Sequence, residues 1–99
     1  MGGGGGFGEG YIWRDVTASR SLNTVYFNGT GKAMAVNVAG FSGSGLNIYT
    51  GPTNPPTTLS ALMPFGGGIT FGNNSTIVPK DFYYRVTNAG GLWYWGEFY

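Results

Sequence analysis

The sequence predicts an all-β domain, a β-sandwich of about seven to nine short antiparallel strands. Three observations lead there. Strand-length segments rich in β-branched and aromatic residues are separated by Gly, Asn and Pro clusters. Apolar residues alternate within the best-defined of these, as Met34, Val36 and Val38 do in Lys32–Ala39. No stretch holds a helical period near 3.6 residues, so almost no helix is expected.

Residues 1–10, with five consecutive glycines, read as a linker or tail, because such chain has much backbone freedom and little side chain to bury. An initiator Met directly before glycines suggests the C-terminal piece of a longer polypeptide. The folded domain is expected over residues 11–99. Ile12–Val16 is a first strand and Ser21–Asn28 a second. Asn28-Gly29-Thr30-Gly31 predicts a hairpin turn, since Asn-Gly readily takes positive φ. Lys32–Ala39 answers it, with Ala33, Ala35, Asn37 and Ala39 forming a small-residue face that something can approach closely. Gly40–Gly45 turns, and Leu46–Thr50 is a strand with Leu46 and Ile48 inward. Pro52, Pro55 and Pro56 make Gly51–Thr57 a surface loop. Thr58–Met63 is a strand, or else one helical turn. Pro64–Gly68 turns, Ile69–Phe71 is short, and Gly72–Asn74 turns again. Ser75–Val78, Phe82–Asn88 and Leu92–Tyr99 complete the set, the last two joined by a tight glycine turn.

Composition excludes several functions. With 99 residues, stability margins are thin. No Cys or His is present, so disulfides, thiol or Ser-His catalysis and the usual nitrogen or sulfur metal sites are excluded. Self-association remains as a common way to stabilise a small domain. Charged residues are 9% of the chain, against ~25% in an ordinary soluble domain. The net charge of +1 offers no purchase on a nucleic acid. No apolar run reaches the ~20 residues of a membrane span. Four carboxylates offer little for paired-acid hydrolysis. Gly66-Gly67-Gly68 lacks the Lys-Ser/Thr and the following helix of a phosphate loop. No cofactor, metal or catalytic residue is expected, and the chain does not read as an enzyme.

The aromatic residues are the strongest functional signal. Strand alternation places Phe82, Tyr84 and Val86 on one face and Tyr83, Arg85 and Thr87 on the other. In the last strand Leu92, Tyr94, Gly96 and Phe98 oppose Trp93, Trp95, Glu97 and Tyr99. One face should be core. The other is a subunit interface or a stacking platform for sugar rings, because Tyr and Trp join an apolar body to a polar tip. The interface reading assigns Tyr83, Arg85, Trp93, Trp95 and Tyr99 to contacts between copies.

Two stretches carry a family resemblance. Trp13-Arg14-Asp15-Val16-Thr17-Ala18-Ser19-Arg20, followed by Tyr26, Asn28, Thr30, Gly31 and Lys32, is similar to the opening of C-terminal domains in phage and prophage tail-fibre proteins. Near the end, Val78-Pro79, Tyr84-Arg85-Val86, a glycine turn and Trp95-Gly96-Glu97 fit the same pattern. The middle, roughly residues 40–74, does not match residue by residue. The resemblance implies a distal, homotrimeric fibre tip on the virion that recognises a bacterial surface polysaccharide or an outer-membrane protein. Within the motif, Asp15 and Arg20 are close enough to pair, Asn28 and Gly31 can supply turn dihedrals, and Trp13 can anchor the first strand in the core. These positions read as fold-defining. Recognition is then expected in the unmatched middle, with Phe41, Tyr49 and Phe65 as stacking rings and Asn54, Asn73 and Asn74 as hydrogen-bonding groups. A purely structural trimerisation cap or decoration protein is the alternative.

Overall fold

The computed structural model describes residues 7–41, 45–64, 71–88 and 90–99. The strands are β1 (Trp13–Asp15), β2 (Val25–Phe27), β3 (Met34–Phe41), β4 (Gly45–Gly51), β5 (Thr58–Pro64), β6 (Phe71–Val78), β7 (Tyr83–Thr87) and β8 (Gly91–Phe98). The only helical element among the described residues is one 3-10 turn, Thr17–Ser19. The strands form two four-stranded antiparallel sheets, in the orders β1-β8-β3-β6 and β2-β7-β4-β5. The expected all-β sandwich is therefore the fold.

Between the sheets lies an apolar core of Met34, Val36, Val38, Leu46, Ile48, Val78, Tyr84, Val86 and Trp95. Alternation supplies it. Along β3 every second residue is buried, and the intervening Ala35, Asn37 and Ala39 face outward. Leu46 and Ile48 of β4 point inward as their spacing predicts. Thr58–Pro64 is a strand throughout, not a helical turn.

The connectivity differs from expectation. Only β4 and β5 are sequence neighbours within one sheet. The two predicted hairpins are both crossings from sheet to sheet. At the first, the Asn28 side chain leaves β2 and donates to the carbonyls of Lys32, Val78 and Pro79 at 2.9–3.0 Å. Its own Oδ1 accepts from the Thr30 amide and hydroxyl. Asn28 thus ties the end of β2 to the end of β6 in the opposite sheet. Gly31 has the positive φ expected of it, 83°, whereas Asn28 acts through its side chain. At the second crossing, buried Asn88 follows β7, and its amide donates to the Gly91 carbonyl at 3.4 Å.

Two further corrections concern β6 and the first described residues. Gly72–Asn74, expected as a turn, continues β6, because β3 is long enough to pair all eight of its residues. Phe7–Gly10, assigned to the tail, makes a turn whose Phe7 ring lies 5.1 Å from Tyr11 and 5.9 Å from Phe98.

Candidate functional site

Arg20, Glu97, Tyr84 and Trp95 form one polar network. Arg20 Nε and Nη2 donate to the two Glu97 carboxylate oxygens, each at 3.0 Å. The Tyr84 hydroxyl donates to Glu97 and accepts from Trp95 Nε1 at 3.1 Å. Burial, and then the neighbouring Glu97 carboxylate, push the Tyr84 phenol above its ordinary value of 10.0. Burial would lower the Arg20 guanidinium, but Glu97 and Tyr84 hold it above its usual range. The expected Asp15–Arg20 pair does not form. Asp15 instead accepts from the Thr17 amide at 3.0 Å and hydroxyl at 2.6 Å, which hold its carboxyl below its ordinary value. Thr17 Oγ1 in turn accepts from the Trp95 amide at 2.9 Å. The Trp13-to-Arg20 motif thus fastens the 3-10 turn onto β8. A depression of about 320 Å³ beside this network is lined by Arg20, Asn28, Thr30, Glu97 and Tyr99, among others. The Glu97 carboxylate there is taken up by Arg20 and Tyr84, which leaves it a structural group.

The outer face of the β1-β8-β3-β6 sheet has a different character. Its centre is the small-residue row of β3, Ala35, Asn37 and Ala39, flanked by Ser75 and Asn73 of β6 and Gly96 of β8. Gly96 is itself covered there. A Cβ at this position would run into the Tyr94 ring, which lies across it. At one end stand Trp13, stacked 4.9 Å from Phe98, and Ile77. At the other end Trp93 lies 5.1 Å from Phe41 and 5.7 Å from Phe71. Trp13, Phe71 and Trp93 are 52%, 61% and 57% exposed. Two shallow depressions of about 470 and 450 Å³ occupy this face, and Asn37 lines both. No lining residue of either is charged. Asp15, on the same face of β1 as Trp13, is engaged by Thr17. The amide of Asn73 donates to Asn37 Oδ1 at only 3.4 Å, so both side chains keep hydrogen-bonding capacity to spare.

Comparison with protein family models, curated proteins and solved structures finds no match.

The residues named from sequence are distributed over both sheets. Phe41 and Asn73 come together at the Trp93 end of this face. Asn74 points inward, and its amide donates to the Leu46 carbonyl at 3.1 Å. Tyr49 lies on the outer face of the opposite sheet with the Arg85 guanidinium 5.0 Å above its ring. Asn54 is in the exposed loop after β4, and Phe65 falls outside the described residues.

The residues assigned to a subunit interface also separate. Tyr83 and Arg85 share the outer face of the β2-β7-β4-β5 sheet with exposed Phe27, Leu59 and Leu62. Trp93 is on the opposite outer face. Tyr99 packs against the core, its ring under Arg14. Trp95 is wholly buried and cannot contact another chain. The cause is a register shift. Ala39 pairs with Tyr94 and Gly40 with Leu92, so Trp93 has no partner on β3. That irregularity puts Trp93 and Trp95 in different environments despite their spacing of two.

Sequence reasoning missed Trp13 as a surface residue, having placed it in the core. The small-residue alternation of β3 was the available signal, since it marked the face beside which Trp13 stands.

Proposed function

We propose that this chain is a non-enzymatic attachment module, the distal receptor-recognising tip of a phage tail fibre. On this reading it holds a molecule of the bacterial surface by the outer face of the β1-β8-β3-β6 sheet. One observation carries the reading. Trp13, Phe71 and Trp93 are each more than half exposed on a single sheet face whose other lining groups are neutral. A small domain does not ordinarily leave such rings in water without a contact to make. Large aromatic anchors around a few neutral donors and acceptors suit reversible recognition. The tail-fibre assignment rests on the motif from Trp13 to Lys32 and its closing counterpart near Trp95. Single neutral hydrogen bonds contribute ~1 kcal/mol each, so one tip binds weakly and several copies on a fibre bind tightly.

A structural cap is the second reading. Phe27, Leu59 and Leu62, exposed on the opposite sheet, favour it. The two readings are separated by adsorption of the purified domain, linked in multiple copies, to a panel of bacterial strains. Strain-selective adsorption is the expected result. Adsorption to no strain leaves the structural reading.

A further inference from the structure

We infer that the ligand of the outer β1-β8-β3-β6 face is an uncharged oligosaccharide run several sugars long, stacked at both ends and hydrogen-bonded in between. This rests on the attachment reading and specifies its receptor.

The argument begins with charge. Five cations and four anions are present in the sequence, yet none lines either depression. An anionic glycan, a nucleic acid or an acidic peptide would leave its charges here without a partner, which is costly on desolvation. Polar groups are nevertheless present, and all are neutral: Asn37, Asn73, Ser75 and the Tyr94 hydroxyl. Amides and hydroxyls both donate and accept, which matches the hydroxyls of a sugar. A wholly apolar partner would bury these groups unpaired. The ligand must therefore be rich in hydroxyls and poor in charge.

Spacing supplies the second step. Ala35 borders the Trp13 depression and Ala39 the Trp93 depression. They are four positions apart on one strand, which is about 13 Å at ~3.3 Å per residue. A single sugar ring cannot touch both ends, whereas an extended chain lying along β3 can. Asn37, which lines both depressions, would meet its middle. The sheet floor at Ala35 and Ala39 carries little side-chain bulk, so a flat ligand can lie close to it. The rings of Trp13 and Trp93 offer apolar faces for the C–H surface of pyranose rings. Each stacking contact should change affinity by a factor of about ten, as aromatic contacts generally do.

The test uses the full chain and an array of bacterial polysaccharides, neutral and anionic, with size-graded fragments of each. Neutral glycans should predominate among those bound. Affinity should climb with fragment length until both ends of the face are occupied, and then level off. Trp13→Ala and Trp93→Ala should each weaken binding to the long fragments about ten-fold. Asn37→Ala should weaken it with the near-ultraviolet signal of buried Trp95 unchanged, which shows the fold intact. Exclusive binding of anionic glycans would overturn the inference. So would equal affinity for single sugars and long chains. Strain-selective adsorption without any glycan bound would overturn it too, while leaving the attachment reading standing with a protein receptor. Self-association abolished by Trp93→Ala, with no glycan bound, would assign the face to a second copy of the chain and also overturn it.

Discussion

Arg20 and Glu97, 77 positions apart, close a two-pronged ion pair at 3.0 Å per contact in the interior of the sandwich. Glu97 is on β8 and Arg20 follows the 3-10 turn, so the pair locks the start of the domain onto its final strand. Tyr84, from the opposite sheet, completes the carboxylate's hydrogen bonding. Arg20→Met would leave a carboxylate only 3% exposed without its cation. The expected loss is about 3 kcal/mol, at the lower end for buried pairs because Arg20 itself is 24% exposed. Adding Glu97→Gln to Arg20→Met should recover part of that loss, since no buried charge then remains. Urea denaturation of the single and double variants checks both statements.

Alkaline stability should depend on Tyr84. Its folded phenol titrates above the ordinary 10.0, because burial and Glu97 disfavour the phenolate. Above pH ~10 the unfolded chain releases this proton before the native one does. The unfolded state then binds fewer protons, and stability falls as pH rises. Below that pH the contribution is complete. Tyr84→Phe should be less stable at pH 7 by about 1–2 kcal/mol and should show a shallower decline beyond pH ~10. Urea midpoints measured across that range give the slopes. Parallel slopes would show that Tyr84 does not shift.

Asn28 should tolerate neither loss nor ionisation of its amide. Asn28→Ala leaves the carbonyls of Val78 and Pro79 and the amide of Thr30 without their partner. The expected cost is about 2–4 kcal/mol. Asn28→Asp keeps the shape but presents a carboxylate to three carbonyl oxygens. It should be at least as destabilising at pH 7 and should recover on acidification. Denaturation at pH 7 and at pH 4 separates the two variants.

These sites mark what was legible in the sequence. The alternation of Met34, Val36 and Val38 fixed a strand and its core face, because burial with period two leaves a direct trace. Asn28-Gly29 did signal a turn, but local residues cannot say whether the next strand returns to the same sheet. That was decided by the Asn28 amide reaching carbonyls 50 and 51 positions away. Parity correctly placed Tyr84 inside and Tyr83 outside. It failed at Trp95, which is buried while Trp93 is exposed, because a register shift beside Gly40 belongs to the pairing of two strands. Of the proposed face, the floor of small residues was visible in the sequence. Phe41 and Trp93 were named there separately, but that they meet Phe71 at one end, with Trp13 at the other, was not visible, since these rings come from four strands.

Gly40 and Gly91 approach each other where β3 and β8 meet. A Cβ on Gly40 would lie 2.6 Å from the Gly91 carbonyl oxygen, which is backbone and cannot swing away. A Cβ on Gly91 would strike the Phe41 ring, a side chain that can rotate. Gly40→Ala should therefore cost about 1–3 kcal/mol. Gly91→Ala should cost less stability but should displace Phe41 from Trp93 and weaken binding. Thermal melts together with binding assays distinguish the two outcomes.

Binding to the bacterial surface should be nearly insensitive to salt, because no charged residue lines the two depressions and Asp15, beside them, is held by Thr17. Adsorption measured between low and near-molar salt checks this. A loss of a hundred-fold or more on the scale of charge-driven complexes would place recognition elsewhere on the molecule.

The most direct test compares the two outer faces of the sandwich in one adsorption experiment. Trp93→Ala and Phe27→Ala remove exposed rings from opposite sheets. The account predicts that Trp93→Ala loses adsorption to susceptible bacteria while Phe27→Ala retains it, both remaining folded. Retention by Trp93→Ala with loss by Phe27→Ala would contradict it.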